Sequence, residues 1–342
     1  MSGVQTITVE MGEGDQRLDR WLKRRFPELT QGRIEKGCRK GEFRIDGARA
    51  KPASRVAEGQ AVRIPPIAEG QSVPPFKRTK MPPSQADVEM MQRAVLYRDA
   101  HLMAINKPPG LPSQGGSKQL RHVDGLSDAL RFGGDKPKLV HRLDKDTSGV
   151  LLLARTAEAA RALAAAFRAR ETRKIYWAAV AGTPKPEIGT IRYGLVKAGG
   201  DAEKMRTLHP DLVAETRDAK HATTDYATLS MLGTRAAWMA LVPVTGRTHQ
   251  LRAHIAAIGN PIIGDGKYGG SSQENLGDGW GAGMGGLSRK LHLHARSLRM
   301  THPFTGAQLT LTAPLPDHMA RTWQMFEWHP DDVPADPFED MS

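Results

Sequence analysis

The first 65 residues place apolar and basic positions in a pattern that predicts two short helices followed by a β-ribbon. Apolar residues recur at helical spacing in the first helix, before a proline: Leu18, Trp21, Leu22 and Phe26. Thr30 suits the start of a second helix, and Gly41 suits its end. The dipeptide Asp46-Gly47 is typical of a hairpin turn. These features predict a small α+β module over residues 15–66.

Beyond residue 92 the chain alternates short apolar runs with amphipathic segments. The apolar runs predict strands at residues 102–105, 150–154, 175–180 and 238–244. An alanine-rich segment after Thr156 predicts a helix up to residue 169, and residues 249–258 predict a shorter helix. Strands interleaved with a few helices indicate a second α+β domain with a mixed, mainly antiparallel sheet, which we assign to residues 93–325.

Three further segments carry no such pattern. Residues 67–92 contain Pro-Pro pairs and the basic cluster KRTK at 77–80, and this composition predicts an extended linker. Residues 326–342 are predicted to form a C-terminal tail. The glycine-rich residues 271–286 are predicted to form a long loop, because their glycines have no phosphate-binding spacing.

The 342-residue chain has a formal net charge of +12, and most of this excess lies in the N-terminal module. Residues 17–63 hold 14 Lys and Arg against six Asp and Glu. Such a concentration of positive charge favours a polyanionic partner, above all a nucleic acid, although a merely solvated surface has the same composition. The residues predicted to contact RNA in this module are Arg33, Lys36, Arg39, Lys40 and Arg44.

Composition argues against several classes of protein. No apolar stretch of 18 residues is present, so no membrane span is expected. The polar, acidic N-terminus lacks the features of a signal peptide. The single cysteine, Cys38, excludes an intramolecular disulfide and a cysteine-cluster metal site. We therefore expect a cytoplasmic protein. We also expect a monomer that uses no metal and no cofactor.

Residues 141–149, HRLDKDTSG, concentrate reactive side chains directly before a predicted buried strand. The residues alone allow two interpretations. In one, Asp144 pairs with Arg142 in an ordinary turn. In the other, a rigid strand holds a carboxylate-bearing loop at the mouth of a cleft.

This segment resembles the signature of the RluA-type pseudouridine synthases. Two more segments resemble motifs of that family in the same order, KIYWAAV at 174–180 and GRTHQLRAH at 246–254. NKPPG at 106–110 is similar to the family's Lys-Pro turn. The N-terminal module resembles the S4 RNA-binding domain, and RKGEFR at 39–44 is most similar to the RluC-like branch. That branch acts on uridines of large-subunit (23S) ribosomal RNA.

The resemblance implies a role for several residues. Asp144 matches the catalytic aspartate, which could act as nucleophile, as base or as stabiliser of positive charge. Tyr176 matches the tyrosine that packs on the target base. Arg252 matches the arginine that pairs with the aspartate and keeps it ionised. The positions matched to RNA contact and base flipping are Arg142, Arg247 and Lys107, of which Lys107 is expected to support the cleft wall.

Three alternatives remain at this point. The enzyme could act on transfer RNA or another RNA, because phosphate contacts do not specify a sequence. The chain could be a non-catalytic RNA-binding or ribosome-assembly protein. It could also be a glycoside hydrolase that uses Asp144 and Asp146 as a carboxylate pair. We expect RNA, rather than a membrane or a metal, as the partner.

Overall fold

The computed structural model describes residues 3–67, 83–115, 121–169, 171–199, 204–269 and 287–339. The chain divides into two compact units between Pro82 and Pro83. The basic cluster at 77–80 and the predicted loop at 271–286 lie outside the described residues. Within the described ranges, no helix combines the length and the apolar character needed to cross a membrane.

The N-terminal unit is built from two helices and a small antiparallel sheet. Its elements are α1 (Leu18–Arg25), α2 (Gln31–Lys40), β1 (Gln5–Thr8), β2 (Gln16–Arg17), β3 (Arg44–Ile45), β4 (Ala48–Arg49), β5 (Arg55–Val56) and β6 (Ala61–Ile64). The sheet has the order β1-β6-β3-β4, and β2 pairs with β5. Its core is apolar and includes Trp21, Ile34 and Phe43, each fully buried.

The helix-capping and turn residues of this unit adopt the conformations that the sequence predicts. The Thr30 side chain accepts a hydrogen bond from the Arg33 amide at 3.2 Å and so caps the start of α2. Gly41 ends the helix in the left-handed conformation, with φ at +73°. Asp46 and Gly47 both have positive φ between β3 and β4, as a tight hairpin turn requires.

The C-terminal unit contains a ten-stranded sheet. Its helices are α3 (Gln85–Arg93), α4 (Val123–Leu126), α5 (Ala157–Ala169), α6 (Gln250–Ala257) and α7 (Asp317–Met325). Its strands are β7 (Val95–Arg98), β8 (Leu102–Lys107), β9 (Lys138–Leu139), β10 (Ser148–Ala154), β11 (Arg173–Ala181), β12 (Ile188–Ile191), β13 (Gly194–Lys197), β14 (Met205–Leu208), β15 (Lys220–His221), β16 (Thr224–Leu232), β17 (Ala236–Pro243), β18 (Leu293–Thr301) and β19 (Gln308–Thr312).

The sheet has the order β12-β16-β17-β11-β18-β10-β8-β7, with β19 on β18 and β9 on β10. Its pairs are antiparallel except for β10 with β18, so the predicted mixed, mainly antiparallel sheet is confirmed. A separate small sheet has the order β14-β13-β15. Helix α6 packs on one face of β11 and β17, through Leu251 and Ile255. Helix α7 packs on the opposite face, where Trp323 contacts Trp238.

Two predicted boundaries need correction. Residues 85–93 are not linker but helix α3, whose Ser84 cap accepts from the Asp87 amide and whose Met91 is fully buried. The predicted tail is also packed: Trp328 and Phe338 join the core beside α7. The burial of both segments depends on partners that are distant in the chain.

Candidate active site

The loop that carries Asp144 is held by hydrogen bonds on both sides of this residue. It joins β9 to β10. The buried Ser113 hydroxyl donates to the Leu143 carbonyl at 2.7 Å and accepts from the Leu143 amide at 3.0 Å. The Lys107 ammonium donates to the Lys145 carbonyl at 3.0 Å. The backbone of Asp144 is therefore constrained from both neighbours.

Lys107 is fully buried and does not line the cavity beside Asp144. Its Nζ donates to the carbonyls of Pro108 and Leu111 as well, so three acceptors match the three protons of the ammonium. Burial lowers the pKa of Lys107 to about 7, and the charges of Asp146 and Asp144 oppose this shift. The expected contact of Lys107 with RNA is therefore corrected: this side chain braces the Asp144 loop from inside the protein.

Five of the six residues matched to catalysis or to RNA in this unit line one cavity of about 320 Å³, here called the Asp144 cavity. They are Asp144, Tyr176, Arg252, Arg142 and Arg247. Asp144 contributes a partly exposed carboxylate, at 21% of its side-chain surface. The cavity therefore combines one reachable carboxylate with an aromatic ring and several cations.

Strand pairing brings Tyr176 to the end of the Asp144 loop. Ala295 on β18 pairs with Gly149 of β10 on one side and with Tyr176 of β11 on the other. Gly149 has φ at +111°, and a Cβ there would lie 2.2 Å from the Ala295 carbonyl oxygen. Only glycine permits this close approach of β10 to β18, so the last residue of the motif has a structural role.

The hydroxyl of Tyr176 stays protonated in the physiological range. Burial raises its pKa well above the ordinary value, and the nearby charge of Asp144 adds to this effect. A tyrosine in that state can pack on a base and donate a proton in a hydrogen bond. It cannot serve as a phenolate base near neutral pH.

Arg252 on α6 has a different partner from the one that the motif implies. Its Nε and Nη2 donate to the two carboxylate oxygens of Asp265 at 2.7 and 2.6 Å, in a buried, bidentate pair. Burial lowers the pKa of Arg252, but the hydrogen bonds and charge of Asp265, helped by the charge of Asp144, raise it overall. The expectation that Arg252 pairs directly with Asp144 is therefore wrong. Arg252 instead provides a nearby positive charge, which Asp265 holds in place.

His249 is a site residue that sequence reasoning did not select. It precedes α6 in the left-handed conformation, with φ at +52°, and its Nε2 lies 3.9 Å from Asp144 Oδ2. Burial lowers the pKa of His249, and the charge of Asp144 opposes this only in part. A neutral imidazole therefore faces the carboxylate near neutral pH.

Tyr268 orients this imidazole. The Met205 amide donates to the Tyr268 hydroxyl at 2.8 Å, and that hydroxyl lies 3.0 Å from His249 Nδ1. Since the hydroxyl oxygen accepts from Met205, its own proton is free to be donated to Nδ1. The arrangement favours the tautomer of His249 with its proton on Nε2, which faces Asp144. Apart from the motif at 246–254, nothing in the sequence indicates that His249 lies close to Asp144.

His141, the histidine of residues 141–149, has a structural role. His141 Nε2 accepts from the Leu152 amide at 2.9 Å, and the ring stacks on Phe167 at 4.5 Å. Burial lowers the pKa of His141 to about 3, with a smaller contribution from the Lys174 charge. The imidazole is therefore a neutral acceptor that joins the loop to β10.

The N-terminal cations fall into two groups. Lys36, Arg39 and Lys40 lie on α2 and are exposed. Arg33 forms an ion pair with Glu42. Arg44 donates to the carbonyls of Gly41 and Gly47, at 3.2 and 3.0 Å. The first group is available to a partner, whereas the other two stabilise the turn after α2.

Comparison with known proteins gives a consistent result. A family model described as RNA pseudouridylate synthase matches residues 101–257, and one described as S4 domain matches residues 16–62. The chain is 33% identical over 309 residues to ribosomal large subunit pseudouridine synthase C of Rickettsia typhi, which covers 89% of this chain and 95% of that protein. It is 32% identical over 324 residues to the protein of the same name from Escherichia coli O157:H7, covering 94% and 96%.

A solved structure agrees with these relatives. Human RNA pseudouridylate synthase domain containing 4 superimposes with a TM-score of 0.58 at 30% identity, over 70% of this chain and 95% of that chain. The family match over residues 101–257 includes every residue that lines the Asp144 cavity except Leu293. On this evidence the chain belongs to the RNA pseudouridylate synthase family, as an isomerase with an N-terminal S4 domain.

Proposed function

We propose that this protein converts specific uridines of large-subunit ribosomal RNA to pseudouridine, with Asp144 as the catalytic carboxylate. The observation that carries the proposal is the Asp144 cavity, where the carboxylate faces Tyr176 and lies beside the charge of Arg252. The ribosomal RNA substrate is supported by the names of the two bacterial relatives.

The reaction rearranges one base without net oxidation or reduction. The N1–C1′ bond of uridine breaks, a C5–C1′ bond forms, C5 loses its proton and N1 gains one. Asp144 is the group that assists bond cleavage, as nucleophile, as base or as stabiliser of positive charge at the sugar. Arg252 and the Nε2 proton of His249 stabilise the carboxylate as its charge changes. Tyr176 holds the base by packing.

The target uridine reaches Asp144 by leaving its stack. A cavity of about 320 Å³ has room for a single base. A carboxylate on its wall cannot reach a base that is still stacked in a duplex. Arg142 is exposed at the edge of this cavity, where it can occupy the gap that the flipped base leaves. Arg247 is also exposed at the edge and is held by the His221 carbonyl at 3.3 Å. Asp146 does not line the cavity, which argues against a carboxylate pair of the glycoside hydrolase type.

The N-terminal unit supplies affinity rather than chemistry. The exposed cations of α2 neutralise phosphates of the RNA backbone and release counterions. Such contacts orient the enzyme on a folded RNA without reading the target base.

The test is pseudouridine mapping of ribosomal and transfer RNA from cells that lack the gene. We expect large-subunit uridines to lose the modification, and the intact chain to restore it. Asp144→Asn is expected to restore none, whereas Asp135→Asn, the same chemical change at an exposed position, is expected to restore it. Loss at transfer RNA sites alone would contradict the substrate, and restoration by Asp144→Asn would contradict the catalytic residue.

A further inference from the structure

A second depression adjoins the Asp144 cavity. Its volume is about 400 Å³, and the two share part of their walls. The shared residues are Phe167, Lys174, Pro243, Thr245, Gly246 and Arg247. An RNA strand that inserts one base into the Asp144 cavity can therefore place its adjoining nucleotide over the second depression.

Lys174 lies at the junction of these two spaces. It is two residues before Tyr176 on β11, so both side chains point to the same face of the strand, roughly 6.6 Å apart along it. Its Nζ is 5.4 Å from the centre of the Phe167 ring, whose plane also stacks against His141. Phe167 thus packs against both Lys174 and His141 at the junction of the two spaces.

The Lys174 ammonium lacks a counterion within the described ranges of the chain, where no carboxylate lies at ion-pair distance from it. Burial lowers its pKa, and no nearby carboxylate opposes this. A desolvated cation without an anion is unfavourable, so an incoming anion gains more here than at an open surface.

The other charges around the second depression also favour an anion. Arg168 and Arg247 are exposed on its edge. Arg173 is engaged in a bidentate pair with Asp336. Glu171 is the acidic residue among those that line the depression, so cations outnumber carboxylates there.

We propose that Lys174 binds the phosphate that joins the target uridine to its neighbour, and that the second depression receives this neighbouring nucleotide. The inference rests on the proposed function, because it needs a uridine in the Asp144 cavity. It assigns a ligand, an internucleotide phosphate, to a residue that the isomerisation itself does not use.

The test combines a protein change with a change in the RNA. The probe is a synthetic RNA hairpin that contains a uridine identified by the mapping experiment. A neutral methylphosphonate replaces the phosphate on its 5′ side in one version and on its 3′ side in another. Binding and turnover are measured for the intact enzyme, for Lys174→Met and Lys174→Arg, and for the control Lys197→Met at an exposed position on β13.

We expect Lys174→Met to weaken binding of the unmodified hairpin by about tenfold or more, mainly as a higher KM, with partial recovery in Lys174→Arg. One of the two methylphosphonates should weaken binding to the intact enzyme and to Lys197→Met by a similar factor. The same methylphosphonate should cause no further loss in Lys174→Met, because the phosphate has already lost its partner.

Two outcomes would overturn the inference. If each methylphosphonate weakens binding to Lys174→Met by the same factor as it weakens binding to the intact enzyme, the lysine does not bind either phosphate. If Lys174→Met binds and turns over like Lys197→Met, the lysine has no role in binding. In both cases the proposed function is unaffected as long as the intact enzyme forms pseudouridine. If no pseudouridine forms in any hairpin or in cells, both proposals are overturned.

Discussion

The two units of this protein use positive charge in opposite ways. On α2 of the N-terminal unit, Lys36, Arg39 and Lys40 are exposed to solvent. In the C-terminal unit, Lys107 and Arg252 are buried, and fixed by carbonyls or by a carboxylate. The attraction of exposed cations for a polyanion depends on how many cations there are, and salt screens it. The effect of a buried cation depends on the groups that it contacts. The comparison separates affinity for RNA from positioning of the site.

The largest effect should come from the buried pair. Asp265→Asn leaves the Arg252 charge without a compensating carboxylate inside the protein, which we expect to destabilise the C-terminal unit by about 3–5 kcal/mol. Urea unfolding measures this, together with turnover on RNA. Asp135→Asn serves as the exposed control and should change stability by less than about 0.5 kcal/mol. Equal stability of the two variants would contradict the importance of the buried pair.

Between pH 7.5 and pH 5, a falling pH should destabilise the C-terminal unit much more than the N-terminal unit. The N-terminal unit contains no histidine, whereas burial lowers the pKa of six histidines in the described part of the C-terminal unit, most strongly for four of them. The values are about 3 for His141 and His292, and about 4 for His254 and His294. Because each folded pKa lies below the unfolded one, stability is full above about pH 6.5 and falls as the pH drops towards 4.

Between pH 7.5 and pH 5, each of these histidines should remove about 2 kcal/mol from the free energy of unfolding. Hydrogen exchange measured separately in the two units gives the readout. His294→Gln should flatten the pH dependence, while His209→Gln, at an exposed position, should leave it unchanged. Equal loss of protection in both units would show that the buried histidines are not the cause.

Removing the exposed cations should change binding without changing the fold. We expect the triple variant Lys36→Gln, Arg39→Gln, Lys40→Gln to reduce the slope of log affinity against log salt by about 2 to 3. Its stability should stay within about 0.5 kcal/mol of the parent. RNA binding over a range of salt concentrations measures the slope. An unchanged slope would mean that this face does not contact the RNA backbone.

The smallest expected effect concerns the orientation of the His249 imidazole. Tyr268→Phe removes the hydroxyl that orients His249, which should lower kcat about three- to tenfold with KM unchanged, equivalent to about 1 kcal/mol. Tyr226→Phe removes a hydroxyl that donates to the Pro186 carbonyl and should leave kcat unchanged. A fall in kcat for both variants would point to general destabilisation instead.

Local patterns were sufficient for many elements of the fold. The caps at Thr30 and Gly41, the turn at Asp46, and the all-buried strand β10 follow from interactions within a few residues of the chain. Thr156 likewise caps α5 by accepting from the Ala159 amide at 3.0 Å. These features are predictable because their partners are close in sequence.

The segments that sequence reasoning missed have distant partners. Helix α3 directly follows a proline-rich stretch, and the sequence alone assigns it to the same linker. In the structure Met91 is buried against the helical segment around residues 123–130. The C-terminal segment is secured by the pair of Arg173 with Asp336, 163 residues apart. No local pattern records such contacts.

The same division applies to the site. Motifs in the sequence select Asp144, Tyr176 and Arg252, and strand order brings them to one cavity. The partners of these residues come from other segments: Lys107 and Ser113 hold the loop, and Asp265 holds Arg252.

The amino-acid sequence alone therefore specifies which side chains can carry the chemistry, together with the family and the local elements that present them. Tertiary structure decides which of the charged groups are buried and what each of them binds. The reason is physical: a charge is stabilised by whatever group lies within a few ångströms, and that group is chosen by the packing of β8, β10, β18 and α6 rather than by its distance along the chain.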